Sequence, residues 1–392
     1  MNRKPSKSPR SLRIRAMVAL AMAVVGLSGL ALAQTTPALA DPTEILVAVG
    51  SDVTQDVYNQ FALDATGNLV GSYNATNPVT GVAHEVITPF DGSSGMQCSF
   101  ARPSGSSEGI SDLVNNPSCV DIARASSQVT PNPVGAHVQI PFAIDGLAGS
   151  TGPMTCTPAS LCPSFSVFTG SGTVTVTPVV TAITTADSFT LADLVTLYAN
   201  CGTVTEGGIT YNPATATAGQ TQINLYVPQT GSSSRSFLAA VLGLNPTTPP
   251  FCVHDHLIAG PLASFTLPVE EHDGTAVATD ANGYGAFSIP QWISQRNGHV
   301  ADRRHSAILR NLAGVSPFSN ANPATGTMNG MFPIIREIFS DVSWTRVNTM
   351  TDPLFSLLNG TNSFICTEQP TILSFGFALI PICGQVTTAG RF

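Results

Sequence analysis

Lysine is nearly missing from this 392-residue chain: Lys4 and Lys7 are the only two, and beyond position 40 the permanently cationic side chains are ten arginines, set against 24 Asp and Glu. A nucleic-acid footprint needs clustered Lys and Arg, so no nucleic-acid partner is expected. Charged residues make up only 10% and hydrophobic ones 43%, too apolar a mixture for a disordered chain. The length exceeds one core of ordinary size, and two lobes are expected. The sequence contains no C-x-x-C, no H-E-x-x-H and no repeat of fixed period. Redox-pair, zincin and solenoid readings therefore lack their usual signatures.

What is present begins with a basic stretch to Arg15, an apolar run from Ala16 to Ala33, and Ala-Leu-Ala triplets ending at Ala33 and Ala40. That order is a secretory signal, 1–40, with cleavage expected after Ala40 and an uncleaved anchor as the alternative. The protein is expected outside the cytoplasm, periplasmic or secreted. The eight cysteines are Cys98, Cys119, Cys156, Cys162, Cys201, Cys252, Cys366 and Cys383, an even count that in an exported chain points to disulfides. Sequence alone leaves roughly 105 connectivities open. Loop-closure entropy favours neighbours, hence 98 with 119, 156 with 162, 201 with 252 and 366 with 383.

Along the chain, Ile45 to Val49 has strand character and runs through Gly50 and Ser51 into an amphipathic stretch with Val53, Val57 and Phe61 on one face. The same grammar recurs at Gln97 to Ala101, where the loop Arg102 to Gly109 leads into Ile110, Leu113 and Val114 at helical spacing. A third strand, Cys119 to Ala123, ends in Arg124, Ser126 and Ser127, and His137 to Ile144 is an apolar run broken by Pro141. Thr173 to Val180 alternates as a strand, Thr190 with Asp193 forms a capping box for a helix Leu191 to Tyr198, and Gln222 to Val227 leads into PQTGSSSRSF and a short helix. Pro333 to Phe339 is the helix expected in the last third. Strands alternating with helices predict an α/β fold around largely parallel sheets.

At least three loops share one design, in which a strand ends, Ser, Thr or Gly residues follow, and a helix begins. A helix N-terminus offers unpaired N–H groups and partial positive charge, a natural anion site. Arg102, Arg124 and Arg235 lie in or beside these loops. Ordinary turns with solvated Arg explain each loop singly, but the set of three favours an anion site.

The segments VGSDVTQD (Val49 to Asp56), SGSSEGI (Ser104 to Ile110), VDIARASS (Val120 to Ser127), IPFAIDGL (Ile140 to Leu147), TGSSSRSF (Thr230 to Phe237) and EEHDGTAVATDANGYGAFS (Glu270 to Ser288) follow one another in an order that resembles the phosphate-type solute-binding proteins of ABC transporters. The resemblance implies a two-lobed periplasmic binding protein-like fold of type II with a discontinuous first lobe, 41–143 with 287–392, and a second lobe, 144–286. It implies a monomer that binds inorganic phosphate or another small oxyanion without a cofactor and hands it to an ABC transporter permease. The ligand-binding residues so implied are Ser51, Thr54, Ser106, Ser107, Ser127, Ser232, Ser233 and Ser234, with Arg235 or Arg102 as the main cationic contact. Family members usually carry an Asp near the position of Ser127 and an Arg near Pro228. Their replacement here implies weaker discrimination between phosphate and sulfate.

Two other chemistries compete. Gly105-Ser106-Ser107-Glu108-Gly109 is a literal G-x-S-x-G, which makes a secreted serine hydrolase with Ser107 as nucleophile the alternative, its base one of His254, His256, His272, His299 and His305. The runs His254-Asp255-His256 and Glu270-Glu271-His272-Asp273 have the residue types of a metal site, but without a known motif they read as polar loop residues. A surface or sensor protein that does not transport is the remaining class.

Overall fold

The computed structural model describes residues 45–80, 82–91 and 96–392. The expected signal segment, 1–40, lies outside the described residues. Fourteen elements carry the architecture: β1 (Leu46–Gly50), α1 (Gln55–Asp64), β2 (Val70–Ser72), α2 (Ser106–Asn115), β3 (Ile122–Ala125), β4 (His137–Thr151), α3 (Leu191–Asn200), β5 (Asn224–Tyr226), α4 (Ser233–Leu242), β6 (Val253–His254), α5 (Thr275–Thr279), β7 (Gly283–Ser288), α6 (Ile289–Asn297) and β8 (Ile335–Ser343).

One sheet runs through the molecule in the order β6-β5-β7-β4-β8-β3-β1-β2, and two short strands, Ile308–Leu309 and Ala378–Leu379, also pair with β4. Its two ends are parallel, as the alternation of strands and helices predicts, but its centre is antiparallel: β8 pairs antiparallel with both β3 and β4, and β7 antiparallel with β4. The strand that joins the halves is β4, whose 15 residues pair with β8 along His137 to Gly146 and with β7 along Leu147 to Ser150. Pro141 does not break it. The register against β8 shifts between Ile338 and Phe339, so that Ala143 and Pro141 oppose consecutive residues, and this bulge accommodates the residue that lacks an N–H.

The segment expected to be a helix, Pro333 to Phe339, instead runs into β8, which takes up Ile335 to Phe339. Ile335, Ile338 and Phe339 are β-formers, and a place between two partner strands outweighs the short helical pattern. Likewise the alternating Thr173 to Val180 contributes only Thr173–Val176, one arm of a hairpin with Phe165–Phe168. The capping box of α3 is present as expected, Thr190 Oγ1 accepting from Asp193 N–H while the Asp193 side chain takes the Thr190 N–H.

Each half of the sheet buries its own core. On the first half, Leu46 and Ala48 of β1, Val57, Tyr58 and Phe61 of α1, Ile140 and Phe142 of β4, and Leu354, Leu357 and Ile372 near the C-terminus pack together. Val47 and Val49, on the other face of β1, meet Leu113 of α2 and Ala123 of β3, so β1 is buried on both sides, as a parallel strand should be. On the second half, Leu194, Leu197, Leu225, Leu238, Leu242, Tyr284 and Phe287 share a core with Ile289, Ile293, Leu309 and Ile334. Four disulfides join Cys98–Cys119, Cys156–Cys162, Cys201–Cys252 and Cys366–Cys383, the neighbour pairing expected from loop closure. No helix among the described residues is long and apolar enough to cross a membrane.

Candidate functional site

Three helix N-termini meet where strands end. Gly50 closes β1 with φ +109°, a left-handed conformation that favours glycine, and Gly109 of α2 packs directly on it: a Cβ at Gly109 would stand 2.6 Å from Gly50 Cα. This glycine-to-glycine contact lets the first turn of α2 sit beside the loop from β1 into α1. Ser51 N–H donates to Arg124 O at 2.9 Å, which ties the same loop to the end of β3.

The result is a cluster of hydroxyls centred on Ser126, those of Ser51, Ser106 and Ser126 buried and that of Ser233 half-buried. Ser126 Oγ lies 3.3 Å from Ser51 Oγ, 3.2 Å from Ser106 Oγ and 2.8 Å from Ser233 Oγ, while Ser126 N–H donates to Ser106 Oγ at 3.0 Å. Ser51 precedes α1, Ser106 opens α2 and Ser233 opens α4. Each hydroxyl has one proton to donate and two lone pairs. The four oxygens therefore satisfy one another, and an acceptor-only ligand would redirect their protons toward itself.

Arg336 of β8 supplies the nearest guanidinium by hydrogen-bond connection. Its Nε donates to Asp145 Oδ2 at 2.8 Å, and its terminal nitrogens donate to Ser233 O at 3.1 Å and Ser234 Oγ at 3.0 Å. Asp145 is fully buried; burial pushes its carboxyl up, and the Arg336 charge pulls it back. Arg124, also fully buried, braces the loop from below: its guanidinium donates to Ser72 Oγ at 2.6 Å, Tyr73 O at 2.6 Å and Gly50 O at 3.2 Å, and burial lowers its pKa to about 10.

Of the sequence-predicted residues, Ser51, Ser106 and Ser233 are brought together. Thr54 is buried behind them, its Oγ1 donating to Ser51 O at 3.4 Å. Ser232 caps α4, accepting from Ser234 and Arg235 N–H, and Ser234 faces Arg336. Ser107 is exposed in the first turn of α2, and Ser127 engages through its carbonyl, which accepts from Gln139 Nε2 at 3.1 Å. Arg235 is buried and committed to Asp255 Oδ2 at 2.8 Å and to the carbonyls of Pro228 and Pro246. Arg102 is buried as well and donates to Asn74 O. Sequence reasoning missed Ser126, Asp145 and Arg336. Ser126 was legible as the neighbour of Ser127 in the same loop, whereas Arg336 lay in the segment assigned to a helix.

From Asp52, the residue after Ser51, opens a cavity of about 360 Å³ whose lining includes Asp52, Asp56, Gln229, Glu270, Glu271 and His272. Burial raises the Asp56 and Glu271 carboxyls. For His272, burial opposes the charged ring, but the hydrogen bond to Glu270 and the fields of Glu270, Glu271 and Asp52 prevail and lift its pKa to about 9. Among the described residues, the His and carboxylate atoms close enough to share an ion are those of Asp52, Glu271 and His272, all within 4.8 Å of one another. His254 and His256 are not part of that group; His256 Nδ1 sits 3.2 Å from Asp255.

The Ser107 hydroxyl has no histidine hydrogen-bonded to it among the described residues, and it occupies the helix rather than the turn before it. The nucleophile geometry of a hydrolase elbow is therefore not formed.

No protein-family profile matches the chain, and no curated relative matches it by sequence. Solved structures similar to it include proteins described as phosphate-binding. A possible phosphate binding protein from Planctomyces limnophilus is 12% identical with TM-score 0.41, the match covering 87% of this chain and 94% of that one. PstS from Borrelia burgdorferi is 14% identical with TM-score 0.41, over 86% and 99% of the two chains. A phosphate binding protein from Stenotrophomonas maltophilia is 10% identical with TM-score 0.37, over 87% and 92%. At such identity and superposition nothing about the ligand carries over from them.

Proposed function

We propose that this protein is an exported solute-binding protein that captures a phosphate-like oxyanion and delivers it to an ABC transporter permease. The observation that carries the reading is the convergence of the Ser51, Ser106 and Ser233 hydroxyls, from the segments that lead into or open α1, α2 and α4, on Ser126 after β3, with the Arg336 guanidinium bonded to the Ser233 carbonyl. Hydroxyl protons and helix-start amides are the donors that a tetrahedral acceptor-only anion uses, and the partial positive ends of three helices add to the Arg336 charge.

The lobes in this reading are 41–143 with 287–392, and 144–286, with β4 as one crossing between them. Ser51, Ser106 and Ser126 then belong to the first lobe and Ser233 to the second. Closure about β4 brings the hydroxyls together, and an anion between them holds the closed form. Because no carboxylate stands among the four hydroxyls, a fully deprotonated anion meets no direct repulsion there, and phosphate and sulfate are discriminated only weakly.

Calorimetric titration of the purified protein with phosphate and sulfate tests this. Binding of either supports the oxyanion reading, and heat with neither anion, in the presence or absence of divalent metal, rejects it.

A further inference from the structure

The surroundings of the hydroxyl cluster are acidic, which is unexpected beside an anion site. Asp52 directly follows Ser51, and Glu271, only 3% exposed, accepts the Ser232 hydroxyl at 3.2 Å without any Arg in ion-pair contact among the described residues. The cavity they line holds four carboxylates, those of Asp52, Asp56, Glu270 and Glu271. His272 and Arg303 both lean on one of them, Glu270, at 3.0 Å and 3.8 Å. Asp52 and Glu271 thus share the His272 ring as their basic neighbour and have no Arg in ion-pair contact among the described residues.

We propose that Asp52, Glu271 and His272 hold a divalent transition-metal ion of the Zn²⁺ or Mn²⁺ type, whose open coordination position faces the oxyanion bound at the serine hydroxyls. The ligand atoms of the three residues already lie within 4.8 Å of one another. Ligand atoms of a tetrahedral zinc ion stand roughly 3.4 Å apart, so small side-chain adjustments complete the set. One imidazole and two carboxylates suit a borderline first-row ion, and three protein ligands leave a fourth position for water or an anion.

A second, independent feature is the neighbour of the imidazole. His272 Nε2 is 3.0 Å from Glu270 Oε2, the carboxylate-to-histidine contact that orients metal-binding imidazoles, and in this proposal Nδ1 is the nitrogen that takes the ion. The adjoining cavity of about 360 Å³ provides room for coordinated water and a route of entry. With the ion in place, its positive charge offsets Asp52 and Glu271 and adds an electrophilic contact for the oxyanion. The bridging part of the inference rests on the oxyanion reading; the metal site itself rests on the three side chains.

The experiment uses the purified protein stripped with a chelator and moved into a chloride buffer. Zn²⁺ and Mn²⁺ are titrated by calorimetry into the wild type and into Asp52→Asn, His272→Gln and Glu270→Gln variants, with circular dichroism melts to confirm that each is folded. The wild type is expected to bind one ion. Asp52→Asn and His272→Gln are expected to lose that binding, and Glu270→Gln, which only orients the ring, to weaken it about 10- to 100-fold. A stripped wild type that takes up no ion, or folded variants that bind as the wild type does, overturns the site. Phosphate is then titrated with and without Mn²⁺. Phosphate affinity that rises with the metal supports the bridge, and affinity indifferent to it rejects the bridge. Metal binding with no phosphate binding leaves the metal site standing and overturns the function proposed above.

Discussion

Ser126 Oγ and Ser233 Oγ stand 2.8 Å apart, a hydrogen bond between the loop after β3 and the first turn of α4 that spans 107 residues of sequence. It is the point where the first three anion-loop elements meet the fourth. Removing either hydroxyl takes one donor from a charged ligand, so Ser126→Ala and Ser233→Ala are each expected to weaken oxyanion binding by about 1.5 to 3 kcal/mol. Ser107 is exposed, and Ser107→Ala is expected to stay within about 0.5 kcal/mol of wild type. Calorimetry on the three variants decides the matter; a large loss at Ser107 with none at Ser126 would move the site to the outer face of α2.

Arg336 and Asp145 form a buried pair, with side chains 8% and 0% exposed. Truncating Arg336 leaves the buried Asp145 carboxyl between β4 and β8 with the Gly146 N–H as its remaining partner, and breaking such a buried pair costs about 3 to 5 kcal/mol. Arg336→Met is therefore expected to shift the denaturant midpoint strongly, and Asp145→Asn combined with it to restore most of the loss. Arg336→Lys keeps the charge but not the fork that reaches Asp145, Ser233 and Ser234 together, so it should fold yet bind the anion more weakly. If Arg336→Met unfolds at the wild-type midpoint, the pair is not structural.

How far the sequence reveals this site depends on what each residue's signal competes with. Ser51, Ser106 and Ser233 were legible because a strand end, a small-residue loop and a helix start are all local patterns. The disulfides were legible because each closes its loop onto the next cysteine along the chain. Arg336 was hidden because Pro333 to Phe339 has a helical pattern, while its strand identity is set by β3 and β4, about 200 residues earlier in the chain. The same long-range pairing turned the expected parallel sheet antiparallel at its centre. Arg235 drew attention as the arginine inside a loop motif, yet its guanidinium points away to Asp255, a partner no spacing rule could supply.

The contact between Gly109 and Gly50 sets the distance between α2 and β1. A methyl group at Gly109 meets Gly50 Cα at 2.6 Å and Val49 O at 3.3 Å, and these are backbone atoms that cannot swing aside. Gly109→Ala is expected to cost about 1 to 3 kcal/mol, the usual range for overpacking, and to pull Ser106 away from Ser126. Oxyanion affinity should fall along with melting temperature. Ala at Gly105, where a Cβ would meet nothing within 4 Å, is the control that should leave both nearly unchanged. Because Ala is the better helix former, propensity alone would favour Gly109→Ala, and equal behaviour of the two variants would show that the close approach does not matter.

Asp341 lies in β8 with no exposed surface, its Oδ2 accepting from Gln139 Nε2 at 3.1 Å and its Oδ1 without a partner. Burial holds its carboxyl well above the ordinary value of 3.8, against a smaller opposing effect from Gln139. The folded state therefore keeps this proton at a pH where the unfolded chain has released it. Its stabilising contribution is fully present below 3.8 and is lost as pH rises toward and through the raised folded value. Asp341→Asn removes the titration while nearly preserving shape. Melting curves recorded from acid to neutral pH should show the wild type losing stability relative to Asp341→Asn as pH climbs, with the gap widening until the buried acid ionises. Gln139 also holds Ser127 O and Val129 N–H, so ionisation beneath it loosens the loop that carries Ser126, and oxyanion affinity should decline over the same interval in the wild type alone. Parallel melting curves for the two proteins would mean that Asp341 ionises in the fold as freely as in the unfolded chain.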